Sequence, residues 1–368
     1  MRHQRDAEVV ELVDALDSKS SEGNLVRVRF PPSVPKLKFE KTWAFFNFLT
    51  MKKIAVIDLG TNGFRLQIAE IPHLNDPNDA PMGQFNIIYK ENDELKLAAE
   101  GIHHIGKVPF ERGLAAMRRF STVVNEQGVQ NVKAFGTAAL RMADNGQDFI
   151  NKVKKETGIE IDLITGEREA ELIYKGMKLG VPLNAQPDVM IDVGGGSVEF
   201  IICNTEGVLW AKSFNVGVAI LKQNFHQNDP IIEDEIAAVE NFLNENTLEF
   251  IEKIKEFQPK TPIFSCGTLD FMAKILSANE IPTQSALRGG YSKPYLEIEE
   301  KTFSDFYKKW VFLSEKTLAV MSEIPNDKVE MLTVSMILMD WVVKKMNAHT
   351  LIASANSMKA GILYEMSL

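Results

Sequence analysis

The chain has 368 residues, with 50 acidic and 41 basic side chains and a formal net charge of −9. This length exceeds what one hydrophobic core usually spans, so two domains are expected. An acidic chain is a poor general binder of nucleic acid, and its two cysteines lack the spacing of a disulfide framework. No apolar run has the length of a membrane span. We therefore expect a cytoplasmic protein with neither nucleic acid nor membrane as a partner.

The first 50 residues differ from the rest of the chain. They mix charges, serines and prolines without steady periodicity, and "WAFFNFL" is too short to cross a membrane. The tripeptide 26–28, Val-Arg-Val, can be encoded by GTT CGA GTC, a T-loop sequence of transfer-RNA genes. We expect residues 1–50 to be a spurious or disordered extension, with Met51 as the native start.

From residue 53 onward the sequence predicts alternating strands and helices. A strand, a glycine turn and a second strand cover 53–71, and "FNIIYKENDELKL" continues as a third strand. Helical spacing runs from "VPFERGLAAMRRF" to Gly128. A strand and helix at "NVKAFGTAALRM", a helix closed by Gly158, a strand at "IEIDLITG" and a helix ending at Gly180 complete a half of outline βββαβαβα.

The second half opens in the same way. A strand at "DVMIDV" leads through three glycines into "SVEFIIC", and "VLWAKSFNVGVAILKQNF" adds a strand and a helix. The segment "DEIAAVENFLNENTLEFIEKIKEF" predicts one long amphipathic helix, and "TPIFSCGTLDFMAKIL" a strand, a turn and a helix. The tail predicts helices near 328–346 and 356–367 around a strand at "HTLIAS".

The two halves align without gaps over their opening hairpins. The segment "IDLG" at 57–60 falls on "IDVG" at 191–194, and apolar positions downstream also coincide. Chance alignment of a strand–Asp–Gly pattern is the alternative. The joint match favours an α/β protein with a duplicated domain around a central cleft, divided into 51–171 and 172–368.

The two glycine turns are the predicted phosphate-binding elements. Glycine lets backbone N–H groups approach an anion and permits the tight turns that this requires. Each turn joins two strands, so neither is a Walker A loop or a Rossmann fingerprint. An ordinary hairpin turn is the alternative. The predicted phosphate-binding residues are Gly60, Thr61 and Asn62 in the first turn and Gly194, Gly195, Gly196 and Ser197 in the second.

Two carboxylates flank the second glycine turn. Asp192 ends one strand and Glu199 lies on the next. Acidic side chains beside a phosphate would repel it unless a hard cation, Mg²⁺ above all, sits between them and the substrate oxygens. This pattern predicts a cation site; the alternative for Glu199 is a solvated strand residue.

Six segments resemble, in order, motifs of the exopolyphosphatase and guanosine pentaphosphate phosphohydrolase (Ppx/GppA) family. They are "IAVIDLGTNGFRLQIAEI", "FGTAALRMADN", "LITGEREAELIYKGM", "VMIDVGGGSVEF", "SFNVGVAIL" and "SCGTLDFMAKIL". The resemblance implies the fold of acetate kinase, sugar kinases, Hsp70 and actin, with two ribonuclease-H-like domains around a phosphate cleft. It implies a hydrolase dependent on Mg²⁺ or Mn²⁺ that releases terminal phosphate from inorganic polyphosphate or pppGpp, and with it a link to the stringent response.

The resemblance also implies roles for individual residues. Glu169 matches the glutamate that acts as base on the attacking water, and Arg141 matches an arginine that binds the phosphate chain. From the residues alone, Glu169 is a first-turn helix acid that the helix dipole favours, and Arg141 is a surface arginine. The implied metal-associated residues are Asp58, Asp192 and Glu199.

Three motifs depart from the family pattern. Arg168 stands where the family has the first of two adjacent glutamates, and Gly63 replaces the second serine of Ser-Asn-Ser. Near the C-terminus, Lys359 and Ala360 stand where the family has arginine and glutamate.

Two other functions share the predicted fold. One is a small-molecule kinase that transfers phosphate from ATP to an acceptor. The other is a switch that binds guanosine penta- or tetraphosphate without turnover, which the joint presence of Glu169, Asp192 and Glu199 disfavours. A homodimer is left open.

Overall fold

In a computed structural model, the structure describes residues 51–72, 85–269, 272, 294–322, 324 and 326–368. The predicted extension over 1–50 lies outside the described residues. The described residues form one compact unit. Within the described ranges, no helix is both long enough and apolar enough to cross a membrane.

The first lobe is a mixed sheet with helices packed on it. Its strands follow the order β3-β2-β1-β4-β5, with β2 antiparallel to β1 and β3, and β4 parallel to β1 and β5. Strand β1 is buried on both faces, since Ala55, Ile57 and Leu59 belong to one apolar cluster and Ile54 and Val56 to another. The helices place one apolar face in the core at 3.6-residue periodicity. The elements are β1 (Met51–Leu59), β2 (Gly63–Pro72), β3 (Asn86–Glu94), α1 (Lys107–Glu126), β4 (Asn131–Gly136), α2 (Ala138–Met142), α3 (Gly146–Thr157) and β5 (Ile161–Leu163).

Helix α4 (Gly166–Lys178) leads from the first lobe into the second. The second sheet has the order β10-β11-β9-β6-β7-β8. Its elements are β6 (Asp188–Val193), β7 (Val198–Cys203), β8 (Val208–Phe214), α5 (Val218–Phe225), α6 (Glu233–Asn246), α7 (Leu248–Phe257), β9 (Pro262–Ser265), β10 (Tyr295–Glu299), α8 (Glu300–Trp310), α9 (Glu315–Ala319), α10 (Asn326–Met346), β11 (Thr350–Ser354) and α11 (Met358–Ser367).

The two sheets repeat one topology, which confirms the predicted fold class. Strands β8-β7-β6-β9-β11 have the same order and the same parallel and antiparallel pairings as β3-β2-β1-β4-β5. Strand β10 adds an antiparallel edge to β11. Each lobe is a ribonuclease-H-like domain. The boundary predicted between residues 171 and 172 falls inside α4, and the division into 51–171 and 172–368 stays a prediction.

Some predicted elements differ from the structure. The long helix predicted after the second hairpin is two helices, α6 and α7, which meet at Thr247. The Thr247 hydroxyl donates a hydrogen bond of 2.6 Å to the Leu243 carbonyl, which also accepts the Thr247 N–H at 3.1 Å. A hydroxyl bonded in this way often bends a helix. Strand β10 and helices α8 and α9 were not predicted. The helix predicted after β9 lies largely outside the described residues.

Helices α4 and α11 join the two lobes through one apolar cluster. The cluster combines residues of β1 and β2 with residues of β6, β7 and β9, and both helices lie between the two groups. The helices touch backbone to backbone where Gly176 meets Gly361. A Cβ atom on Gly176 would overlap the Ser357 carbonyl, and one on Gly361 would overlap the Leu172 carbonyl. The two lobes therefore share a core and a close helix crossing.

Candidate active site

A cavity of about 1150 Å³ opens where the two lobes meet. Both glycine turns, the first turn of α4 and the start of α11 line it. These segments follow strands that end at the same place in each sheet, so the repeated topology brings them together. With the exception of Arg141, every predicted site residue lines this cavity: Asp58, Gly60, Thr61, Asn62, Glu169, Asp192, Gly194, Gly195, Gly196, Ser197 and Glu199.

The two glycine turns lie against each other across the cavity. A Cβ atom on Gly195 would stand 2.9 Å from Asn62 Oδ1, and one on Gly196 would stand 2.8 Å from Thr61 Oγ1. No glycine of either turn has a positive φ angle; the described glycines that do are Gly101, Gly128, Gly158 and Gly207. Glycine is thus required for close approach of the two turns and not for a left-handed conformation.

The second turn holds two neighbouring carboxylates. Asp192 and Glu199 are direct cross-strand partners on β6 and β7. Glu199 accepts hydrogen bonds from the Ser197 and Ser213 hydroxyls, each at 2.7 Å. It is only 1% exposed, which excludes the alternative of a solvated strand residue. Burial raises the pKa of Glu199, and the charge of Asp192 raises it further.

Asp192 is also held by the far end of the chain. Its Oδ2 accepts a hydrogen bond of 2.7 Å from the hydroxyl of Ser357, the N-cap residue of α11. Burial raises the pKa of Asp192, whereas the hydrogen bond from Ser357 lowers it. The carboxylate therefore lies between the second turn and α11.

Glu169 occupies the first turn of α4, whose N-cap Thr165 accepts a hydrogen bond from the Arg168 N–H at 3.2 Å. The Glu169 side chain is buried, whereas the neighbouring Glu167 and Glu171 are exposed. Burial raises the pKa of Glu169, the charge of Glu199 adds to this, and Arg141 opposes it. Among these three neighbouring acids, only Glu169 lines the cavity.

Arg141 lies behind Glu169 and does not line the cavity. Its Nη1 donates to the Ile164 carbonyl at 2.8 Å and to Glu169 Oε2 at 3.2 Å. These contacts hold the Glu169 carboxylate in place. The predicted contact between Arg141 and a phosphate chain stays a prediction.

Sequence reasoning missed the cations that surround Asp58. Arg65 Nη1 lies 3.5 Å and Lys359 Nζ lies 3.7 Å from Asp58 Oδ2. Burial lowers the pKa of Lys359, and the charge of Asp58 opposes this. Arg65 could have been found by its position directly opposite Asp58 in the predicted hairpin. In the sequence, Lys359 differs from the arginine of the family pattern, and nothing else there indicates that it lies beside Asp58.

The carboxylates fit a cation that takes its remaining ligands from water and from the substrate. In the part of the chain that the structure describes, no group of three or more His, Cys, Asp or Glu side chains could hold a metal ion alone. Mg²⁺ usually binds through one or two carboxylates, several waters and substrate phosphates. Asp192 and Glu199 supply two carboxylates, and the Ser197 and Ser213 hydroxyls that donate to Glu199 carry no charge. The residues present thus leave negative charge that a hard cation would neutralise.

Comparison with curated proteins finds relatives that act on phosphate compounds. The chain is 29% identical over 212 residues to a bifunctional 3-dehydroquinate synthase/phosphatase of Fusobacterium nucleatum, covering 55% of this chain and 29% of that protein. It is 27% identical to a Haemophilus influenzae protein named as a candidate exopolyphosphatase, covering 63% and 69% of the two chains. It is also 27% identical to a guanosine-5′-triphosphate,3′-diphosphate pyrophosphatase of Pseudoalteromonas atlantica, covering 62% and 44%. The chain thus spans less than half the length of two of these relatives.

Comparison with solved structures agrees in fold. An exopolyphosphatase from Cytophaga hutchinsonii superposes with a TM-score of 0.77 at 31% identity, covering 86% of this chain and 98% of that one. A Ppx/GppA family member from Aquifex aeolicus gives a TM-score of 0.67 at 20% identity, with the same coverage. The Ppx/GppA phosphatase family matches residues 78–368. The protein belongs to the Ppx/GppA phosphatase family.

Proposed function

We propose that the protein hydrolyses the terminal phosphoanhydride of inorganic polyphosphate, of pppGpp or of both, with Mg²⁺ or Mn²⁺ as the cation. One observation carries the proposal: Glu169, both glycine turns and the carboxylates Asp58, Asp192 and Glu199 line one cavity. Family membership and the names of two curated relatives support the choice of substrates.

The two turns bind and orient the anionic end of the substrate. Both turns line the cavity, and their glycines carry no side chains of their own that would keep backbone N–H groups from approaching an anion. Phosphoryl transfer passes through a loose, charge-rich transition state, so positioning and neutralisation of charge supply most of the catalysis. A divalent cation bound at Asp192 and Glu199 would neutralise phosphate charge and favour the ionised form of nearby carboxylates.

Glu169 takes the proton of the attacking water. Its carboxylate must be ionised for this role. Burial and the charge of Glu199 raise its pKa, whereas Arg141 favours the ionised form through a hydrogen bond of 3.2 Å. Its position at the first turn of α4 also places it in the positive field of the helix N-terminus. A positioned carboxylate base contributes roughly 10²–10⁴-fold to a rate.

Release of inorganic phosphate from a panel of substrates tests the proposal. The panel contains polyphosphates of graded length, pppGpp and ATP, each with Mg²⁺, with Mn²⁺ and with a chelator. We expect phosphate release from polyphosphate or pppGpp that stops on chelation. Transfer of label from ATP to an added hydroxyl or carboxylate acceptor, without release from polyphosphate or pppGpp, would instead show a kinase. Binding of pppGpp without any release would show a non-catalytic switch.

A further inference from the structure

The start of α11 brings two polar side chains to the aspartates of both lobes. Ser357 donates to Asp192 of the second lobe at 2.7 Å, and Lys359 Nζ lies 3.7 Å from Asp58 Oδ2 of the first. Lys359 interacts electrostatically with Asp192 as well as with Asp58. A single lysine is therefore shared by the acidic groups that meet where a cation would be expected.

We propose that Lys359 is an internal cation that pairs with Asp58 beside Asp192 in the substrate-free protein and competes with a divalent metal ion there. The inference rests on the proposed function for the location of the metal ion. Asp58 already has two cations beside it, Arg65 at 3.5 Å and Lys359 at 3.7 Å, and of these Lys359 also acts on Asp192. A divalent ion at Asp192 would therefore be repelled by Lys359, since the interaction of charges within a few ångströms is large in a partly buried site. Metal binding therefore requires Lys359 to withdraw.

The lysine side chain can make this movement. Its ammonium group is a point charge on a flexible four-carbon stem, and its side chain is 27% exposed in the cavity. Both glycine turns that are proposed to bind phosphate line the same cavity. An anion bound there offers Lys359 a new partner, so phosphate binding promotes metal binding. By linkage, metal binding promotes phosphate binding to the same extent.

Mn²⁺ binding to the full-length, substrate-free protein tests the inference without any turnover. Electron paramagnetic resonance of free Mn²⁺, supported by calorimetry, compares the wild type with Lys359→Met, Lys359→Gln and Lys359→Arg. We expect Lys359→Met and Lys359→Gln to bind Mn²⁺ about tenfold more tightly or better, because a repelling charge is removed. Lys359→Arg keeps the charge and should bind Mn²⁺ like the wild type.

Lys328→Met is the matched control, since Lys328 also lines the cavity but packs beside Gly267. It should leave Mn²⁺ affinity unchanged. Inorganic phosphate should tighten Mn²⁺ binding more in the wild type than in Lys359→Gln. Circular dichroism checks that each variant is folded, and two uncharged replacements are used so that the loss of one leaves the other.

The inference is overturned by unchanged or weaker Mn²⁺ binding in the folded Lys359→Met or Lys359→Gln variant, or by equal tightening in Lys328→Met. Its failure is distinguishable from failure of the proposed function. Absence of phosphate release from every substrate, with tighter Mn²⁺ binding in both uncharged variants, would refute the hydrolase and retain the competition between lysine and metal.

Discussion

At the scale of single residues, Arg65 of the first lobe and Glu199 of the second occupy equivalent positions and carry opposite charges. Asp58 pairs with Arg65 across the β1–β2 hairpin, and Asp192 pairs with Glu199 across the β6–β7 hairpin. The first pair is an ion pair at 3.5 Å, whereas the second joins two carboxylates. The cross-strand partner of Asp58 therefore offsets its charge, whereas the cross-strand partner of Asp192 adds a second negative charge.

Replacement of Glu169 by glutamine should abolish most turnover while the protein still binds substrate. Glutamine keeps the size of the side chain and can accept the hydrogen bond from Arg141, but it cannot take a proton from water. We expect the rate of phosphate release to fall roughly 10²–10⁴-fold, with substrate binding by calorimetry little changed.

Glu167→Gln is the control for this replacement. Glu167 lies in the same helical turn but is exposed, so the variant should keep near wild-type rates. Wild-type turnover in Glu169→Gln would show that another group acts as the base.

Replacement of Arg141 by glutamine distinguishes two roles for this arginine. If Arg141 positions Glu169, kcat should fall roughly 10- to 100-fold while KM stays nearly constant, because misplacement of a catalytic group lowers the chemical step. If Arg141 binds the phosphate chain, KM should rise instead. Steady-state kinetics on the best substrate of the panel give the answer, and we expect the fall in kcat.

The residues of the site differ in how far sequence could predict them. Glycine runs and carboxylates next to strands signal phosphate and cation chemistry, and the structure brings these residues to one cavity. The choice of Glu169 over Glu167 required the family resemblance, because the helix dipole favours both of these first-turn acids. Lys359 could not be predicted, since its contact with Asp58 joins the last helix to the first strand.

At the scale of elements, the crossing of α4 and α11 depends on the absence of side chains at two positions. Gly361→Ala would drive a Cβ atom into the Leu172 carbonyl, and Gly176→Ala would do the same to the Ser357 carbonyl. Overpacking of this kind costs about 1–3 kcal/mol of unfolding free energy. Denaturant unfolding followed by circular dichroism measures the loss.

Lys178→Ala provides the comparison for the glycine variants. Lys178 is exposed at the end of α4, so its loss should change the free energy of unfolding by less than about 0.5 kcal/mol. Full stability of both glycine variants would show that the helices do not cross as closely as described.

Elements with a clear period were predicted well, and elements defined by distant contacts were not. The opening hairpins show alternating apolar residues around glycine turns, and both form as predicted. Strand β10 is ordered by pairing with β11 of the chain's last third, a contact that local pattern does not contain. The break at Thr247, whose φ is −125°, interrupts a continuous helical period of apolar residues, which gives no signal for it.

At the scale of the whole molecule, the shared core should keep the lobes together until the protein unfolds. Cys203 is fully buried in this core, and burial, with a contribution from Asp188, raises the pKa of its thiol to about 12. We expect a thiol reagent to leave Cys203 unmodified in the native protein. Mass spectrometry of the labelled peptides should show modification only at the rate of unfolding.

Cys203→Ser is the control that shows which label belongs to Cys203. Any remaining label in that variant comes from Cys266, which is partly exposed. Rapid native labelling of Cys203 would show that the lobes separate without unfolding.

The contact between Gly176 and Gly361 also determines how far Glu169 and Lys359 would move if the two lobes rotated about it. Glu169 lies seven residues before Gly176 on α4, about 10 Å along the helix, whereas Lys359 lies two residues before Gly361 on α11, about 3 Å along it. A pivot of about 10° would therefore sweep the glutamate backbone through roughly 2 Å and the lysine backbone through well under 1 Å. A rotation of the lobes about this contact would therefore displace Glu169 several times farther than the backbone of Lys359.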